Sequence, residues 1–284
     1  MQKQLKPTSE YVRHKTHKIK KQLCVGIITI PYERKGKYIK SHIMKSYVDW
    51  FEQRGVRVLP IPYDTTEHEE YFEVINGLLI PGGDMPFIIK HDAFLTTVTR
   101  FFELSLQKDE YFPIWGTCFG FELLLFLVGG FTTLKQYDAH GLYPITITGP
   151  SKMFNGFSKK YLHFLEHNKS TIQNHLYGIS PDDFMNNLHL RRFYNIISTA
   201  VDNEGKTYVN SIEGKHYPIY GVQFHPERQK TTSAFIDFFI GELKMNKHRT
   251  SATIPYIGTY MPIQKCIEYR EKKMQCYIFT PLVK

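Results

Sequence analysis

Phe112-Pro113-Ile114-Trp115-Gly116-Thr117-Cys118-Phe119-Gly120-Phe121-Glu122-Leu123-Leu124-Leu125-Phe126-Leu127 reads as a short apolar strand, a turn centred on Cys118 and an apolar helix. Gly116 and Gly120 flank the cysteine at two residues on each side, the spacing of a nucleophile elbow with cysteine in the reactive place. Residues without a β-carbon let the chain turn sharply and let strand and helix approach closely. Such a turn lifts Cys118 out of the packing and aims the helix N-terminus at its sulfur, where partial positive charge favours the thiolate. Taken alone, a cysteine in an apolar strand–helix unit is more often a core residue. The paired glycines tilt the reading towards catalysis.

Outward from the elbow, the chain alternates apolar strands with helical patterns. Leu23 to Ile30 and Val74 to Ile80 are near-continuous apolar runs, as expected of strands covered on both faces. Val56 to Ile61 is a further strand. Ile43, Tyr47, Trp50 and Phe51 recur at helical spacing, and Gly55 stands where a helix ends. Ala93 to Leu106 and Thr232 to Leu243 are amphipathic helices, and Glu67 to Glu70 opens a short one. Tyr32 to Lys40 reads as a basic loop, and residues 150–200 as helix and loop. Leu142–Thr148, Thr207–Ile212 and Pro218–Phe224 alternate like half-exposed strands. The alternation predicts an α/β fold with a mostly parallel, doubly wound sheet flanked by helices, flavodoxin-like in layout. Ligands of such sheets gather at the C-terminal strand ends, which is where Gly82, Gly83 and Cys118 fall.

The chain has 284 residues, 42% hydrophobic and 22% charged, an ordinary globular composition that can bury a large core. No apolar run is long enough for a membrane-spanning helix. Four cysteines in this length are no disulfide scaffold and show no zinc spacing, so no metal and no cofactor are expected. A Cys266–Cys276 bridge is neither demanded nor excluded. The net charge is +9, much of it in residues 1–21, where Lys3, Lys6, Arg13, Lys15, Lys18, Lys20 and Lys21 oppose only Glu10. That segment lacks the apolar centre of a secretory signal and reads as a basic, disordered tail. Cytoplasm is the default location, with organelle targeting by the tail left open. Specific nucleic-acid binding is not expected, since the tail has almost no aromatic interleaving. Residues 22–284 read as a single domain with a C-terminal wrapping arm.

A thiolate nucleophile needs a base and oxyanion donors. His225 ends the apolar strand Tyr220–Phe224, within Phe224-His225-Pro226-Glu227. Pro226 fixes the turn, and Glu227 is placed to orient the imidazole. The backbone N–H groups of Gly83 and Phe119 are candidates for the oxyanion hole.

Gly116-Thr117-Cys118-Phe119-Gly120-Phe121-Glu122 and Gly221-Val222-Gln223-Phe224-His225-Pro226-Glu227 resemble the two signatures of the class I glutamine amidotransferase superfamily. More closely, the chain resembles the γ-glutamyl hydrolases, folate-polyglutamate peptidases, over about Gln22 to Phe279. The matching segments include Ile75–Gly83, Tyr111–Cys118, Tyr217–Gln223 and Gln275–Phe279. The resemblance implies cysteine-dependent hydrolysis of γ-linked glutamate chains through a thioester. Cys118 would be the nucleophile, His225 the base and then the acid, and Glu227 its orienter. It further implies substrate-binding roles for His175, Tyr47 and Gly82, a small-molecule γ-glutamyl substrate, no membrane partner, and room for a homodimer. Two stretches depart from the family pattern, His42-Ile43-Met44-Lys45 and the short Arg228-Gln229-Lys230 loop. Competing readings are a glutaminase module delivering ammonia to a separate synthetase, and a non-catalytic binding protein on the same fold.

Overall fold

Strand pairing sets the elbow beside the histidine. In a computed structural model of the chain, residues 22–34, 37–83, 92–130, 134–250, 257, 263–269 and 272–279 are described. The expected tail of residues 1–21 lies outside them, as does most of 251–262. The strands are β1 (Cys24–Ile28), β2 (Ile30–Arg34), β3 (Lys37–Met44), β4 (Arg57–Ile61), β5 (Leu78–Ile80), β6 (Ile114–Thr117), β7 (Lys135–Tyr143), β8 (Thr146–Ile147), β9 (Thr171–Gly178), β10 (Tyr194–Val201), β11 (Thr207–Gly214), β12 (Ile219–Val222), β13 (Ile263–Tyr269) and β14 (Lys272–Phe279). Eight of them form the central sheet in the order β4-β1-β5-β6-β12-β11-β10-β8. Its first five strands are parallel, and β11, β10 and β8 extend it antiparallel.

Both faces of the parallel part are covered, as its apolar runs require. Side chains alternate across the sheet: Cys24, Ile28, Leu78, Ile80 and Ile114 enter one core, while Val25, Ile27, Leu79 and Trp115 enter the other. Helices Asp92–Gln107 and Phe119–Gly129 pack the first face, and Lys45–Glu52 and Ser233–Met245 the second. The second core is aromatic, with the Trp115 ring 5.7 Å from Trp50 and 5.4 Å from Phe239. Such pairs add roughly 0.5–1.5 kcal/mol each beyond the area they bury.

Four local expectations are corrected. Within the expected loop Tyr32 to Lys40, residues 32–34 and 37–40 belong to the paired strands β2 and β3, which β14 joins antiparallel with Tyr277 opposite Ile43. Ile43 therefore belongs to a strand, and the helix begins only at Lys45. Within 150–200, β9 and β10 replace part of the expected helix and loop. Both carry polar residues at inward positions, such as Gln173, His175 and Ser198, which hides the strand alternation. Leu142–Thr148 is broken at Pro144, which cannot donate to a ladder. Cys276 is disulfide-bonded, whereas Cys24 and Cys118 are free.

Candidate active site

The sequence forces the elbow shut around Cys118. A β-carbon at Gly120 would sit 2.0 Å from the Ile80 carbonyl oxygen, and one at Gly116 would sit 2.6 Å from the Gly120 carbonyl oxygen. Only glycines let the helix start this close to β5 and β6. Cys118 itself has φ 53° and ψ −108°, and is the non-glycine residue with positive φ among the described residues. Such backbone costs about 1–3 kcal/mol and persists only where its surroundings impose it. Its own N–H donates to the Val222 carbonyl at 2.8 Å, which ties the elbow to the end of β12.

Beyond Val222 the chain runs through Gln223 and Phe224 to His225. Register Thr117–Val222 sets the two strand ends side by side. The His225 N–H donates to the Ile172 carbonyl at 2.9 Å, anchoring the turn to β9. Pro226–Arg228 then forms one 3-10 turn, which returns the Glu227 carboxylate to the imidazole with Nδ1 to Oε1 at 2.8 Å. Gly82 marks how closely the groups converge. A β-carbon there would lie 2.9 Å from His225 Cε1, 3.0 Å from the Tyr47 hydroxyl and 3.3 Å from Cys118 Cβ. Three distant segments thus meet at one glycine, which must stay small.

The electrostatics follow from burial. His225 is buried and its imidazole is held below the usual histidine range by burial, with Glu227 opposing. Burial works to raise the Glu227 carboxyl, but facing His225 and Arg228 bring it below the usual glutamate range. An ionised Glu227 can only accept, so Nδ1 carries the proton and Nε2 is left to take one. Burial and nearby Glu122 push the Cys118 thiol well up, while Arg228 and the Phe119 N–H pull the other way. The helix N-terminus acts on the sulfur as the sequence suggests, and burial opposes it more strongly, which favours the protonated thiol at rest. The thiol donates to the Asn174 carbonyl at 3.8 Å rather than to the imidazole. Catalytic hydrogen bonds often tighten only when substrate is bound.

Every described candidate from the sequence falls at this strand edge. The Tyr47 hydroxyl, fully buried, accepts from the Gly82 N–H at 2.8 Å, and burial raises its phenol well above the ordinary range. That bond spends the Gly82 amide and leaves those of Gly83 and Phe119 as the oxyanion candidates. His175 donates from Nδ1 to the Tyr177 carbonyl at 2.8 Å, while its Nε2 is buried without a partner. Burial lowers its pKa to about 3, with His225 adding to the effect, so the ring is neutral. A buried ring nitrogen without a partner is rare in folded proteins and leaves His175 Nε2 open to accept a hydrogen bond.

Some participants gave no signal in sequence. Asn174 contributes a carbonyl, which any residue would supply. Gln223 donates to Glu122 at 2.9 Å and holds that buried carboxylate one helical turn from the nucleophile. Arg228 stands 3.3 Å from Glu227 through Nε, and in the sequence it is indistinguishable from a loop cation. A cavity of about 720 Å³ lies elsewhere, lined by Tyr111, Lys152, Tyr217 and Tyr220 near the N-terminal strand ends. It is lined by no cysteine and lies at the other end of the parallel strands from Cys118. Among the described residues no cluster suits a metal ion, and no described helix is long and apolar enough to cross a membrane.

The family model for glutamine amidotransferase class-I matches residues 38–240. The chain is 31% identical over 271 residues to the gamma-glutamyl hydrolase of Homo sapiens, covering 86% of this chain and 80% of that protein. It is 34% identical over 244 residues to the Mus musculus gamma-glutamyl hydrolase, covering 76% of each. Gamma-glutamyl hydrolase B of Dictyostelium discoideum is 34% identical over 216 residues, covering 72% of this chain and 62% of that one. Among solved structures, a GMP synthase subunit from Thermoplasma acidophilum superimposes with a TM-score of 0.56 at 17% identity, covering 78% of this chain and 94% of the other. That likeness bears on the fold alone.

Proposed function

We propose a mechanism from one premise: this chain belongs to the class I glutamine amidotransferases and, among them, to the gamma-glutamyl hydrolases. It is an enzyme that hydrolyses γ-glutamyl bonds of small substrates. Cys118, His225 and Glu227 carry the chemistry, and folate polyglutamates or related γ-glutamyl peptides are the substrates. The observation supporting this most is the strained Cys118 at the end of β6 beside the His225–Glu227 pair at the end of β12.

In the first half-reaction His225 Nε2 takes the Cys118 proton as sulfur attacks the γ-carbonyl carbon. The oxyanion is held by the N–H groups of Gly83 and Phe119. The tetrahedral adduct collapses to a thioester, and the imidazolium hands its proton to the leaving amine. Water then attacks the thioester with His225 as base, and the proton returns to sulfur. Because the thiol rests protonated, proton transfer and attack are coupled, and Glu227 stabilises the imidazolium formed between them. Tyr47 fixes the Gly82–Gly83 turn, and neutral His175 offers Nε2 to the substrate.

Incubating the purified chain with pteroyl polyglutamates of several lengths and separating the products tests this reading. Shortened pteroyl products are expected. Ammonia released from free glutamine with no shortening would replace the hydrolase with a glutaminase. For location, the disulfide at Cys276 favours an oxidising compartment over the cytoplasm expected from sequence, because reducing compartments do not maintain such bonds. Fractionation of cells producing the full chain decides between them.

A further inference from the structure

Glu227 is an awkward residue to keep ionised. Its side chain has no solvent exposure, one oxygen is hydrogen-bonded to His225, and Oε2 has no hydrogen-bond partner. A buried carboxylate in that state needs a counter-charge, since removing a charge from water costs several kcal/mol. In the resting enzyme His225 is neutral and cannot supply it. Arg228 can. Its Nε lies 3.3 Å from Oε1, the same oxygen that the imidazole uses, as an ion pair without a hydrogen bond, since that Nε is buried and has no hydrogen-bond partner. Both residues sit in one 3-10 turn, closed by the Arg228 N–H on the His225 carbonyl at 3.3 Å. Among the described residues Arg228 pairs with no other carboxylate. Its side chain is 23% exposed, so it is screened from water without being cut off.

We infer that Arg228 is a positioning residue for the reaction: its guanidinium holds Glu227 as an anion aimed at His225 Nδ1, and so fixes the imidazole tautomer that accepts the thiol proton. The groups that face the Cys118–His225 pair are Glu122 from the helix Phe119–Gly129, Tyr47 from the helix Lys45–Glu52, His175 from β9, and Glu227 with Arg228 from their own turn. Arg228 is the cation among them. It balances Glu227 before proton transfer and favours the thiolate during it. The role is distinct from anchoring a carboxylate of the substrate, which the same guanidinium could do in another geometry.

This inference rests on Cys118 and His225 being the reacting pair, and its test is built to survive failure of the substrate assignment. Arg228→Met and Arg228→Lys are compared with the parent in two assays. One is hydrolysis of a γ-glutamyl peptide, and the other is alkylation of Cys118 by iodoacetamide across pH, which needs no substrate. The Met variant is expected to lose about 10- to 100-fold in kcat while KM changes less than about threefold. Its alkylation rate at a given pH below the thiol's titration should fall about tenfold, because a cation that favoured the thiolate is gone. The Lys variant keeps the charge and should recover both readouts to within about threefold. If the Met variant does not fold, Arg228→Gln carries the same expectations. An unmoved alkylation profile with a rise in KM alone would make Arg228 a substrate anchor and overturn the proposal, as would parent-like behaviour of both neutral variants. Normal alkylation shifts in a protein that cleaves no γ-glutamyl bond would sink the substrate reading and leave this one intact.

Discussion

Two buried glutamates, Glu227 and Glu242, sit at opposite ends of the same parallel sheet, and their surroundings differ. Near the N-terminal strand ends, Glu242 accepts through Oε2 from Tyr111, from Tyr220 at 2.6 Å and from Lys152 at 2.8 Å. At the C-terminal ends, Glu227 has one hydrogen bond, an unpartnered second oxygen and an imperfectly aligned cation. Around it lie a cysteine in left-handed backbone and a histidine nitrogen with nothing to bond. A buried polar network that is satisfied lends rigidity, whereas one left incomplete costs stability and must be retained for another reason. Burial and charge are common to both ends. Incompleteness and strain separate the end that holds the proposed site from the other one.

The sharpest way to break that contrast is Cys118→Ala. Hydrolysis should fall by a factor on the order of 10⁴ or more, measured as kcat/KM on a γ-glutamyl peptide, with the thermal midpoint nearly unchanged. Activity surviving in this variant would remove the elbow from the chemistry. Next in size is Gly120→Ala, whose methyl group would meet the Ile80 carbonyl oxygen at 2.0 Å. The helix cannot start there without moving, so a loss of about 3 kcal/mol or more in urea denaturation is expected, with activity falling alongside. A stable, active Gly120→Ala protein would show that close approach does not hold the elbow.

Glu227→Gln keeps the shape of the triad and deletes its charge. A fall in kcat of about 10²- to 10³-fold is expected. The pH profile gives the sign. His225 works as a base only when neutral, and burial already holds it below the usual range while Glu227 pulls it up. Removing the anion lowers it further, so the acid limb of kcat/KM should move to lower pH even as the rate drops. A limb that moves upward or stays fixed would mean that His225 is not the titrating base. Stability changes in the same acid window. Buried His175, at about 3, and His42, at about 4, titrate below their ordinary value of 6.5. The stability they confer is therefore present above pH 6.5 and is lost as pH falls through that interval.

How far the sequence foretells this follows from which groups do the work. The elbow was legible because its two glycines are required by backbone contacts that depend on spacing alone. The parallel strands were legible because burial on both faces leaves an unbroken apolar run, as in Val25 to Ile28. β9 was not, since Gln173 and His175 spend its inward positions on polar partners and on the site itself. Its passage over the sheet brings His175 and the Asn174 carbonyl to Cys118, and no residue type announces a carbonyl. Tyr47 and His175 were expected through resemblance, and as bare residues they read as a core aromatic and a loop histidine. In the sequence Arg228 is only one member of a short loop, because what it can do depends on which oxygen it approaches. A helix N-terminus that favours the thiolate can be inferred from sequence, while the depth of burial that opposes it cannot.

The smallest expected effect tests the other half of the comparison. Tyr111→Phe removes a hydroxyl that donates to Glu242 and sits 2.6 Å from Lys152 Nζ. Glu242 keeps Tyr220 and Lys152, so no buried charge is stranded, and the loss should be the net worth of one charge-assisted hydrogen bond, about 1–2 kcal/mol. The aromatic ring stays, so Lys152 keeps its cation–π contact at 5.1 Å from the ring centroid. Because the cluster lies near the N-terminal strand ends, kcat/KM should remain within about twofold of the parent below the unfolding transition. A tenfold fall in kcat/KM with unchanged stability would show that the two ends of the sheet are coupled. The satisfied network would then belong to the reaction, and completeness of hydrogen bonding would no longer separate the structural glutamate from the catalytic one.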